Sequence, residues 1–202
     1  MKRAILAASI ATAFAASSAH ASLIDYLGLN HSTAVEIVHL GTTRTVLAGD
    51  FHITIDGASA TAFCVDLDHN IVKEWTADKL SVTSINGGKA AAFLYDTFKN
   101  DITTEIQAAA LQVAIWEVVD DFGGTLDLTG GNFRLNGSSS IATQANTYLA
   151  AIPANVSSYV TSDIVLKSGN NPQSQNLLVP EPAAVLLSVL SFPILGLQRR
   201  KI

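Results

Sequence analysis

From Ser22 to about Ser84 the apolar residues recur at strand spacing: Val35-Glu36-Ile37-Val38, then Thr45-Val46-Leu47 beyond Gly41, then Phe51-His52-Ile53-Thr54-Ile55 running into the turn Asp56-Gly57. A hairpin follows, with a strand expected from Ala58 to Leu67. That strand carries Phe63, Cys64 and Val65, and Asp66-Leu67-Asp68-His69-Asn70 breaks it. Short β-type runs continue to Ile85, and Asn86-Gly87-Gly88 ends the section. After Gly88 the period lengthens. Lys89 to Phe98 sets Ala92, Phe93 and Leu94 against Lys89, Asp96 and Lys99, the pattern of a short helix. Thr103 and Thr104 are candidate caps for a second helix, with Glu105 in its first turn and Gly123-Gly124 beyond its end near Asp120. From Ala108 to Ala114 this helix is apolar almost all round, which predicts that it is covered on several sides.

The remainder is less regular. Gly123 to Ser140 is rich in Gly, Asn and Ser and reads as loop, with short strands expected at Leu126-Asp127-Leu128 and Asn132-Phe133-Arg134-Leu135. Ile141 to Ile152 predicts a third helix before Pro153, Tyr159-Val160 and Asp163 to Leu166 a returning strand, and 169–178 a polar linker. The expected fold is α+β: an antiparallel β-sandwich or barrel-like sheet packed on a small helical subdomain, spanning 22–168.

Both ends differ from this domain. Residues 1–21 have the layout of a signal peptide: Lys2 and Arg3, an apolar run from Ala4 to Ala16, and the small-x-small site Ala19-His20-Ala21. Residues 179–202 comprise Val179-Pro180-Glu181-Pro182, a nearly unbroken apolar run from Ala183 to Leu197 and a tail with Arg199, Arg200 and Lys201. Fifteen helical residues reach about 22 Å, short of a hydrocarbon core of about 30 Å. This order of motif, apolar run and basic tail resembles the PEP-CTERM sorting signal of Gram-negative bacteria. The resemblance implies transient anchoring in the inner membrane, processing by an exosortase at or near the Pro-Glu-Pro motif, and release to the cell surface or extracellular matrix.

With the ends set aside, seven basic and sixteen acidic residues remain between 22 and 180, a formal charge of −9. A surface so acidic argues against nucleic acid or anionic lipid as a partner. The single cysteine excludes an internal disulfide framework and leaves three readings of Cys64: intermolecular pairing, a buried thiol, or a specialised bond. Asp66-Leu67-Asp68-His69-Asn70 begins like a calcium loop, but Ile71 stands at the sixth position and Ala77 at the twelfth, so no metal is expected. His31, His39, His52 and His69 show no ligand spacing and suggest no Ser-His-Asp arrangement, and no phosphate-cradling loop or cofactor motif appears.

Gln112 is the other unusual residue, since its neighbours one turn away are Ala108, Ala109, Ile115 and Trp116. A buried amide must be partnered, either by backbone at a sheet edge or by reaction with the Cys64 thiol, which would expel ammonia and leave a thioester. Phe63-Cys64-Val65-Asp66 followed by Leu111-Gln112-Val113-Ala114-Ile115-Trp116 resembles the paired motifs of thioester domains of bacterial surface adhesins, with Leu111 where that family most often has Thr. The resemblance implies a Cys64–Gln112 thioester shielded by Phe63 and Trp116 and opened by an amine on a surface protein or polysaccharide. Each molecule would react once, so no enzymatic turnover is expected. Glu117 is a candidate acid or base for that opening, its plainer reading being a solvated helix-face glutamate. The alternative for the whole protein is a non-reactive structural component of the matrix or biofilm, with Cys64 as an inert core thiol.

Overall fold

The computed structural model describes residues 21–181. The expected signal peptide, apart from Ala21, and the sorting segment from Pro182 onward lie outside the described residues, and among those described no helix is long and apolar enough to cross a membrane. The described residues form seven strands: β1 (Ser22–His39), β2 (Thr42–Ile55), β3 (Ala58–Cys64), β4 (Glu74–Ser81), β5 (Phe133–Asn136), β6 (Ile164–Ser168) and β7 (Leu177–Val179). All their pairings are antiparallel. The expected α+β class is observed, and the sheet closes on itself: β1, β2, β3, β7, β6 and β4 form a ring, because β4 returns to pair with Ser22–Asp25 of β1. Beyond that point β1 pairs with β5 through Glu36–His39.

The long first hairpin makes closure possible. β1 begins at Ser22, well before the Val35 run that the pattern marks, and stays paired with β2 from Ile24↔Ile55 to His39↔Thr42. Its alternation is blurred by irregularities between Tyr26 and Gly28 and between Leu29 and His31. Such bulges bend a strand and increase its twist. The second is fixed by Asp50, whose carboxylate accepts the His31 backbone N–H and the Asn30 side-chain amide, each at 2.9 Å.

Three helices among the described residues cover the barrel: α1 (Gly88–Phe98), α2 (Glu105–Asp121) and α3 (Ser139–Ala150), the last beginning two residues before its expected start. Thr104 caps α2, its hydroxyl accepting the Gln107 N–H at 3.2 Å. Every residue of α2 from Ala108 to Val118 is buried, because the helix packs on α1 and α3 on one side and on β1, β2 and β3 on the other. Gly87 enables the α1 contact: at φ +60° it lies so close to α2 that a Cβ would fall 1.8 Å from the Val118 carbonyl oxygen.

Three expectations need correction. Leu126-Asp127-Leu128 and Tyr159-Val160 form no strand. β3 ends at Cys64 instead of Leu67. The polar segment 169–178 is no linker: Ser174 is fully buried, its hydroxyl accepting the Val72 N–H, and Leu177, Leu178 and Val179 form β7, inserted between β3 and β6. Three apolar residues after a polar run are too short to register as a strand by period, yet all three are fully buried.

Candidate functional site

Consecutive residues of a strand turn their hydrogen-bonding groups to opposite sides. The Val65 N–H donates to the Asn176 carbonyl on the β7 side, so the groups of Cys64 point to the β2 side. There the β2 ladder has already ended, at Phe51↔Ala62. Gln112 of α2 supplies the missing partner. Its Oε1 accepts the Cys64 N–H at 2.9 Å, and its Nε2 donates to the Cys64 carbonyl at 2.8 Å. The side-chain amide thus stands in for a peptide group of a neighbouring strand, in a fully buried setting. The two residues expected to share a thioester are therefore brought together, Gln112 through its side chain and Cys64 through its backbone.

The Cys64 thiol is free, buried and folded back on its own turn, donating to the Asp66 carbonyl at 2.9 Å and accepting the Asp66 N–H at 3.3 Å. Burial pushes its pKa up to about 12, the Asp66 N–H and the Trp116 indole N–H work against that, and the charges of Asp66 and Asp120 add to it. Trp116 is nearly buried and makes no hydrogen bond of good geometry through Nε1. Its ring lies between the thiol and a surface groove, with Phe133 6.0 Å away, centroid to centroid. Phe63 takes a different place. Strand alternation turns it away from the thiol, and its ring packs edge-on against Tyr95, whose hydroxyl donates to the Thr61 carbonyl. It therefore holds β3 on α1, while Trp116 is the aromatic ring beside the sulfur.

Glu117 is neither solvated nor directed at this pair. It is fully buried, and its Oε1 accepts the Asp127 N–H, tying down the loop after α2. Five residues from Gln112 along a helix is about 140° around it. Burial, assisted by the charges of Asp121, Asp127 and Asp120, raises its pKa to about 7 against the pull of the Asp127 N–H. The folded protein thus holds a proton that the unfolded chain releases near the ordinary glutamate value, and stability must fall as pH rises from about 4.5 to about 7. Asp120 and Asp163, raised to about 6 and about 7 mainly by burial, act with the same sign. Glu117→Gln is expected to flatten this slope, measured as urea midpoints at pH 5 and pH 8; an unchanged slope would show that Glu117 does not carry it.

Around the thiol stand groups that show no spacing in the sequence. His39 of β1 is nearly buried, with Nδ1 against the Arg44 guanidinium and Nε2 3.3 Å from Asp120 Oδ2. His69 lies against Asp66, its Nδ1 2.9 Å from Oδ2 and 3.1 Å from Oδ1. The Asp66 carboxylate also accepts the N–H groups of Asp68 and Asn176, so the loop that resembles a calcium site spends its first ligand position on protein donors. Among the described residues no group of three or more His, Cys, Asp or Glu is placed to hold a metal ion. Asp-x-x-His directly after the cysteine is the sequence signal for the pairing of Asp66 with His69.

The four residues expected to be a sorting motif are divided by the fold. Val179 pairs with Ile164 inside the barrel, Pro180 lines a cleft with His31, Asp50 and Lys99, Glu181 is exposed, and Pro182 lies outside the described residues.

Comparison with known families bears on the same stretch. Residues 61–158 match the family model of the thioester domain, a span that runs from β3 past the end of α3 and contains both Cys64 and Gln112. No curated protein and no solved structure matches the chain.

Proposed function

We propose that this protein is an exported covalent binder, in which the Cys64 thiol and the Gln112 side chain form an internal thioester that an amine on a partner opens. The observation that carries this reading is the double hydrogen bond between the Gln112 amide and the backbone of Cys64, inside the span that matches the thioester domain family. Thioester domains in general bind amine-bearing targets covalently and are displayed outside the cell. The chemistry balances simply. Sulfur bonds to Gln112 Cδ and ammonia leaves, and capture then exchanges the C–S bond for an amide to the target, returning a thiol. One molecule captures one target, so the activity is stoichiometric and needs no cofactor.

In this reading 1–21 direct export, an exosortase processes 179–202 at or near the Pro-Glu-Pro motif after transient membrane anchoring, and the protein is displayed at the surface or in the matrix. The partner is an amine-bearing surface protein or polysaccharide. A second reading has its own observation. Both Cys64 and Gln112 find hydrogen-bond partners in their buried setting, as in an inert structural protein of the matrix or biofilm.

Intact mass decides between them. The mature protein is expected to weigh one ammonia less than its sequence, with the deficit absent from Cys64→Ala and Gln112→Ala and replaced by an adduct after incubation with methylamine. A full-mass wild-type protein whose thiol titrates completely on unfolding favours the structural reading.

A further inference from the structure

The turn that leaves β3 bonds the Cys64 sulfur through the Asp66 main chain and carries an oriented histidine, His69, on the Asp66 side chain. The Asp66 carboxylate can only accept hydrogen bonds, so the ring nitrogen facing it, His69 Nδ1, carries a proton, and in the neutral ring it is Nε2 that presents the lone pair. The geometry is fixed from both ends. Asp66 is held by the Asp68 and Asn176 N–H groups, and its own main chain accepts from and donates to the Cys64 sulfur. The imidazole is about one-third exposed while the Asp66 side chain is nearly buried, the arrangement of an oriented base at the edge of a site.

His69 also borders open space. It forms part of the wall of two clefts that flank the turn. One, of about 340 Å³, has Trp116 in its lining together with Arg44, Phe51 and Ile71. The other, of about 250 Å³, is lined by Val65, Asp66, Asp68, His39 and Asp120. Among the described residues no lysine or arginine lines the second cleft, so its carboxylates favour a cationic ammonium group over an anionic one.

We propose that His69, oriented by Asp66, is the general base for amine capture at the Gln112 acyl group, with the amine entering beside the 66–69 turn. The inference rests on the thioester reading above. An ammonium drawn to the cleft first releases one proton to solvent. The neutral amine then attacks Gln112 Cδ, its N–H proton passes to His69 Nε2, the C–S bond breaks, and His69 delivers that proton to sulfur. The products are an amide between the Gln112 side chain and the target and a neutral Cys64 thiol. Delivery of a proton matters here because burial makes a Cys64 thiolate costly as a leaving group.

The test follows methylamine adduct formation by intact mass in the mature protein and in His69→Ala and His69→Gln. Both variants are expected to keep the ammonia deficit, to react at least about tenfold more slowly, and His69→Ala to regain rate when imidazole is added. Ammonia-deficient variants that react at the wild-type rate overturn the role of His69 and leave the thioester standing. A slow His69→Ala that imidazole does not restore also overturns it, since that is how a purely structural histidine behaves. A wild-type protein at full mass overturns the thioester reading, and this inference with it. Should His69→Ala fail to fold, the rate of His69→Gln alone decides, a wild-type rate counting against the proposal.

Discussion

A chain that stops at Gln175 is expected not to fold, whereas one that stops at Glu181 is expected to unfold cooperatively. The difference is β7. Leu177, Leu178 and Val179 are fully buried and lie between β3 and β6, so their loss opens the ring and leaves two strands with unpaired inner edges. Truncating one large buried apolar side chain to alanine costs about 2–5 kcal/mol, and three together approach or exceed the total stability of about 5–15 kcal/mol typical of a domain. Leu178→Asp, which buries a charge in the same strand, is expected to fail in the same way. Circular dichroism and urea titration of the two truncated chains check this, and a Gln175-terminated chain with a native-like unfolding transition would show that β7 is dispensable. The result also constrains sorting. If the Pro-Glu-Pro motif is cut, the cut must fall beyond Val179, because a cut before Leu177 removes a strand of the barrel.

The sequence and structure agree where local pattern and burial coincide. α2 is legible because Thr104, Glu105 and the apolar run from Ala108 to Ala114 all point to one long covered helix, whose burial extends from Ala108 to Val118. The β2–β3 hairpin is legible because alternation from Phe51 to Ile55 meets Asp56-Gly57, the αL turn that joins the strands. β1 and β7 are not. In β1 two bulges shift the inward face twice, so no single period survives along eighteen residues. β7 owes its existence to partners more than ten residues away on one side and more than a hundred on the other, and three residues carry no period of their own.

The site divides along the same line. Cys64 and Gln112 stand out as anomalies, one by being alone and the other by lying on an apolar face. Their meeting has a cause the sequence does not display: β2 stops pairing two residues short of Cys64, and the exposed backbone groups need an amide. Glu117 is the opposite case. Its position next to Trp116 suggests a chemical role, but helical geometry turns it toward Asp127. His69 fits neither a metal-ligand spacing nor a triad along the chain, because its partner sits three residues back across a tight turn.

Replacing Gln112 is expected to separate its structural and chemical roles. In a Cys64→Ala background, which keeps the amide and cannot form the thioester, Gln112→Ala deprives the backbone N–H and carbonyl of residue 64 of their partners in a site closed to water. Each unsatisfied group costs about 1–3 kcal/mol, so the unfolding free energy should fall by about 2–6 kcal/mol, a loss readable in the urea midpoint. Gln112→Glu behaves differently. A protonated carboxyl can accept from the Cys64 N–H and donate to its carbonyl, as the amide does, whereas a carboxylate would face that carbonyl without a proton. Burial therefore makes the folded state hold this proton, and stability of the variant falls as pH rises above the ordinary glutamate range. At low pH its midpoint in that background should approach that of Cys64→Ala, and with Cys64 present it has no ammonia to expel, so its mass should show no deficit of that kind. Equal stability of Cys64→Ala with and without Gln112→Ala would mean that the backbone of residue 64 finds other partners, and the hydrogen-bonded pair could no longer be the feature that positions the two groups for reaction.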